Sequence, residues 1–136
     1  MSVDLYVVVA HDRVPATKAW NAAIRDAGYA LALDEACTLG ANGGFWPCAF
    51  EGNASGFECY ASDVAELPDR LRREGAVFAF RTHSDMREAA CSVISAAVLC
   101  ATSDGLLWDP QADEATLGRG ALEWAREVVA EMRAGF

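Results

Sequence analysis

The sequence predicts an α/β (α+β) fold: one domain over residues 1–136, with a mixed sheet of about five to six strands and helices packed against it. Three observations carry this. Short β-branched apolar runs at 3–10 and 76–81 read as buried strands. Segments with apolar residues at three- and four-residue spacing follow both runs. Aromatic arms around a turn at 45–61 read as a hairpin.

Taken in order, the strand at 3–10 leads to Pro15, which suits a first helical turn. Ala19-Trp20, Ala23-Ile24 and Ala27 then recur at helical spacing, and Gly28 stops the helix. Tyr29 to Leu33 reads as a second strand. Residues 34–44, with Gly40, Asn42, Gly43 and Gly44, read as a loop. The hairpin has arms at 45–50 and 56–61 and a turn at 51–55. Pro47 removes a ladder donor, so the first arm is expected at an edge or at a bulge. Asp63 and Glu66 stand at capping-box spacing, but Pro68 moves the helix proper to about residue 67, with Gly75 as its end. A strand at 76–81 follows. The helix at 85–102 has the widest apolar stripe, through Met86, Ala89-Ala90, Val93-Ile94, Ala97-Val98 and Ala101, and is expected at the centre. Asp104-Gly105 closes it, and Leu106-Leu107-Trp108 is a short strand before Asp109-Pro110. A last helix spans 117–132, with Leu117 inward. The order is β-α-β-β-β-α-β-α-β-α.

Composition narrows the function classes. The net charge is −9 without an acidic tail, which disfavours nucleic acid and anionic lipid as partners. Arg70-Leu71-Arg72-Arg73 is the one basic cluster, and a helix C-terminus accounts for it. Met1-Ser2-Val3-Asp4 lacks the basic start of a secretory signal, and the apolar run behind it is too short for a membrane span. Five cysteines without a Cys-x-x-Cys pair read as free thiols in a reducing cytoplasm. Asn53-Ala54-Ser55, a glycosylation acceptor in form, reads as part of the turn.

Two groups of residues are candidates for function. Both histidines stand at strand-to-helix junctions, where ligands of open α/β sheets bind. Were strands 3–10 and 76–81 parallel neighbours, His11 and His83 would share an edge, ringed by Asp12, Arg13, Arg81, Ser84 and Asp85. Histidine beside carboxylate suits general-base work or metal binding. Against this, Ser84 and Asp85 are good helix caps, and no third metal ligand stands at a usable spacing, so neither metal nor cofactor is expected. The second group is Phe45, Trp46, Phe57, Glu58 and Tyr60 on the hairpin. Both faces of the hairpin carry aromatics, so either both are covered or one meets a partner. The glycine clusters at 40–44 and 118–120 lack a phosphate-loop signature.

The segments Gly43-Gly44-Phe45-Trp46-Pro47-Cys48, Ser55-Gly56-Phe57-Glu58-Cys59-Tyr60 and Leu107-Trp108-Asp109-Pro110-Gln111 resemble those of small bacterial proteins. These in turn resemble immunity proteins that accompany secreted toxins in interbacterial competition. The resemblance covers about a third of the chain, set against the size of one domain. It implies a cytoplasmic, non-catalytic binder whose acidic surface occludes a toxin, and it carries no catalytic residues. The leading expectation is therefore an acidic protein-interaction domain with a basic protein partner. A small hydrolase or transferase using His11 and His83 is the alternative, and a structural homodimer joined through the hairpin edge is a third.

Overall fold

The computed structural model describes residues 3–41 and 43–136. Met1, Ser2 and Asn42 of the readings above lie outside the described residues. Seven strands form one sheet: β1 (Val3–Val9), β2 (Leu31–Leu33), β3 (Gly44–Phe50), β4 (Asn53–Ser62), β5 (Ala76–Thr82), β6 (Leu106–Asp109) and β7 (Glu114–Leu117). Three helices accompany them: α1 (Thr17–Asp26), α2 (Met86–Ser103) and α3 (Gly120–Met132).

The strand order is β2-β3-β4-β5-β1-β6-β7, and every neighbouring pair is antiparallel. The expected mixed sheet of five or six strands is corrected to seven antiparallel ones. The β-α-β pattern nonetheless has a real basis. β5 and β6, joined by α2, point the same way, but β1 lies between them and runs against both. β1 and β2, joined by α1, also share a direction, with β5, β4 and β3 between them. Each crossover keeps its parallel sense while hairpin-type pairing fills the gap, so no two neighbours end up parallel.

All three helices lie on one face. That face carries Leu5, Val7 and Val9 of β1, Trp46, Cys48 and Phe50 of β3, Phe57 and Cys59 of β4, and Phe78 and Phe80 of β5. α2 is packed by the sheet below and by α1 and α3 alongside, so Ala89 through Cys100 are buried all round. Its many Ala and Ser residues let these neighbours approach closely, and Trp20 of α1 donates from Nε1 to the Ser95 carbonyl at 3.1 Å. Asp85 caps the helix by accepting from the Glu88 amide at 3.0 Å. Asp104 ends it in a left-handed conformation, φ 54°.

Four sequence expectations change. The hairpin turn shrinks to Glu51-Gly52, both at positive φ, so Asn53, Ala54 and Ser55 are strand rather than turn. Pro47 lies one strand in from the edge: its carbonyl faces β2 and accepts from the Asp34 amide at 2.9 Å. Its nitrogen faces the same way, just past the end of three-residue β2, so the β3–β4 ladder loses no donor. No α-helix forms at 67–75. The segment instead makes 3-10 turns at Val64–Glu66 and Asp69–Leu71, broken at Pro68. Likewise Leu117 ends the edge strand β7, 64 % exposed, rather than starting α3. Gly118, at φ 50°, turns the chain between them.

Candidate interaction face

Alternation along the strands decides which side chains leave the core. Cross-strand partners share a face, so register assembles rows on the side away from the helices. One row runs Phe45, Glu58, Arg81, Asp4 across β3, β4, β5 and β1. The next runs Tyr60, Ala79, Tyr6, Trp108, Ala115 across β4, β5, β1, β6 and β7. A third, Ser62, Val77, Val8, Leu106, Leu117, is partly roofed by the segment after β4. There Leu67 closes over Val8, Val77 and Leu106, with Val64 and Leu71 beside it.

The Arg cluster holds that roof down. Arg72 donates to the carbonyls of Leu67 and Ala65 at 3.0 and 3.1 Å and pairs with Asp69 at 2.7 Å. Arg70 pairs with Asp113 in the β6–β7 turn. The expected helix C-terminus is thus corrected to a strap across one end of the sheet. The first two rows lie outside this roof: Phe45 is exposed, while Tyr6 and Trp108 are half-buried against the Leu67 cluster and Ala79 is buried.

Their electrostatics are specific. Arg81 reaches Asp4 at 2.9 Å, and its guanidinium lies 5.9 Å from the Tyr60 ring centre. Glu58 reaches His83 Nε2 at 3.3 Å. Tyr6 and Trp108 pack at 5.5 Å with planes tilted 34°. The Trp108 indole donates to Asp113 at 3.3 Å. Partial burial, then the carboxylates of Asp4 and Glu66, push the Tyr6 hydroxyl above its ordinary value. Phe45, 56 % exposed, lies across bare backbone: a Cβ on Gly56 would fall 2.1 Å from its ring. Glycine is required there so that the ring can cover the strand.

The hairpin candidates therefore divide. Phe45, Glu58 and Tyr60 belong to the open face. Trp46 and Phe57 do not, and their expected role in partner binding is corrected. Both are buried, in an aromatic cluster with Trp20 and Phe80. The reason is the pleat: Trp46 and Phe57 are register partners, one residue along from the outward pairs, and so face the helices. Tyr6, Trp108 and Asp4 were missed as site residues. For Asp4 and Tyr6 the signal lies in the alternation of β1, where they interrupt Leu5, Val7 and Val9.

The two histidines are not brought together. β1 and β5 are neighbours but antiparallel, pairing Val9 with Ala76 and Val3 with Thr82. His11 leaves one end of the ladder and His83 the other, roughly 20 Å apart over seven residues of strand. Asp12 stays beside His11 in an exposed 3-10 turn, and Asp85 is the α2 cap. His11 instead lines a shallow groove with Leu39, Asp63, Val64 and Phe78. A shared His11/His83 site is corrected accordingly. Among the described residues no group of three or more His, Cys, Asp or Glu is placed to hold a metal ion. No helix among them is long and apolar enough to cross a membrane.

Comparison with known proteins adds no relative: no family model, no curated protein and no solved structure matches this chain.

Proposed function

We propose that this chain is a non-catalytic interaction domain that binds a basic protein through its open sheet face, as an immunity protein occludes a toxin in the cytoplasm. One observation carries the reading. Tyr6, Phe45, Tyr60 and Trp108 stand partly exposed on the sheet face away from the helices, among Asp4, Glu58 and Glu66, on a chain of net charge −9. Aromatic rings with adjacent carboxylates suit partner lysine and arginine, by cation–π contact and ion pairing together. The long-range charge speeds encounter with a basic partner, and the rings set the lifetime of the complex.

The test uses the C-terminal domain of a secreted protein encoded beside this chain. Tyr6→Ala and Trp108→Ala should each weaken binding by about 1 kcal/mol or more, read at a temperature where circular dichroism shows each variant folded. Association should slow as salt rises. Unchanged affinity in both variants would overturn the open face as the site. The absence of any such neighbouring product that this chain neutralises would overturn the toxin reading. Self-association through the same face would return the homodimer alternative.

A further inference from the structure

We infer that the cleft between the three helices binds a small amino acid, whose carboxylate meets Arg119 and whose ammonium meets Asp26. The site lies on the helix side of the sheet and does not depend on the interaction reading. Its lining includes Val98 and Thr102 of α2, Ala23 and Asp26 of α1, and Arg119 and Leu122 of α3. Val98 is buried, Ala23 and Leu122 are half-buried, and the three polar residues are exposed. Apolar walls with a few polar groups at the mouth are the make-up of a small-molecule site.

The two charges stand where their helices disfavour them. Asp26 is the last residue of α1, at the negative end of the helix dipole, where a cation is favoured. Arg119 is the N-cap of α3, at a positive end, where an anion is favoured. Arginine is also a poor capping residue, and α3 starts without a side-chain cap bond. Neither charge is offset by a neighbour. Arg72, Arg81 and Arg133 reach carboxylates at 2.7, 2.9 and 2.7 Å, whereas among the described residues Asp26 and Arg119 take part in no ion pair. Both face the same cleft. Local rules are broken in this way mostly where function requires it.

A ligand with both signs of charge accounts for both residues. α1 and α2 bring C-terminal ends to the cleft and α3 brings its N-terminus, so the helix ends and the side chains polarise it in the same sense. An ammonium group is favoured beside Asp26, and a carboxylate beside Arg119, whose planar guanidinium suits its two oxygens. The Thr102 hydroxyl can serve either group. Ala23, Val98 and Leu122 offer only apolar contact to the ligand side chain. The cleft volume of about 210 Å³ equals about seven waters at roughly 30 Å³ each, between alanine and valine in non-hydrogen atoms.

The experiment titrates the whole ¹⁵N-labelled chain with L-valine at millimolar concentrations and follows its backbone amide signals. The expected result is saturable shifts at Asp26, Thr102 and Arg119. Isovalerate, which lacks the ammonium group, and isobutylamine, which lacks the carboxylate, should each bind about tenfold or more weakly than L-valine, as should L-valine to Asp26→Asn and to Arg119→Gln. Neither substitution should lower the melting temperature, since each removes a charge set against its helix end. The wild-type titration needs no variant to fold. Absence of saturable shifts overturns the proposal, as do shifts confined to another part of the chain. Isovalerate binding as tightly as L-valine overturns it in favour of a simple anion site. A marked loss of melting temperature in either variant overturns it by showing that the charge serves the fold.

Discussion

Trp46→Ala separates the core from the interaction face most sharply. The indole is fully buried, edge-on to Trp20 at 5.3 Å and stacked with Phe57 at 6.5 Å. Its Nε1 donates to the Asp34 carbonyl at 3.1 Å. Truncating a buried Trp costs about 3–5 kcal/mol through lost transfer energy and the residual cavity. The orphaned Asp34 carbonyl adds little, because Asp34 is exposed and water can replace the indole. A loss of about 4 kcal/mol is a large share of the roughly 5–15 kcal/mol that holds a domain folded. At about 3–5 °C per kcal/mol for a chain of this size, the midpoint should fall by about 12–20 °C. Phe45→Ala, its outward neighbour, should change the midpoint by no more than about 5 °C, since the ring is half in water already. The assay is thermal unfolding by circular dichroism, with both variants in the same buffer. A Trp46→Ala midpoint within a few degrees of wild type would refute the assignment of the faces. A Phe45→Ala loss as large as that of Trp46→Ala would refute it equally.

Ile94→Asp places a carboxylate without a partner where α2 is buried on every side, and should leave the protein unfolded or insoluble; a soluble variant with an unchanged melt would contradict the central position of α2. Ser95→Ala should stabilise by about 0.5–1 kcal/mol in denaturant titration, because its buried hydroxyl has no hydrogen-bond partner and alanine favours the helix; a loss of stability would show that the hydroxyl is satisfied. Arg133 holds the Glu51 carboxyl below its ordinary 4.5, and Arg70 holds that of Asp113 below 3.8. Depressed carboxyl values stabilise the fold above the ordinary values and lose that stabilisation as pH falls through the lower folded ones. The melting advantage of wild type over Glu51→Gln should therefore be present at neutral pH and vanish in acid; an advantage independent of pH would count against the ion pair.

Local patterns in the chain determined its elements wherever one physical period dominates. The three- and four-residue repeat of α2, the apolar runs of β1 and β5, and Gly28 as a helix stop all correspond to what forms. The outer edge strand β7 was not legible: Glu114-Ala115-Thr116-Leu117 has no inward apolar row, because this edge buries little. Strand direction was not legible either. A β-α-β order states only that a helix joins two strands of like sense. Whether a third strand enters between them depends on long-range pairing, and here β1 enters between β5 and β6 and sends His11 and His83 to opposite ends. The aromatic wealth of the hairpin was plain in sequence, but a shift of one residue exchanges its faces. Only the register of Trp46 with Phe57, and of Phe45 with Glu58, decided which rings are core and which meet solvent.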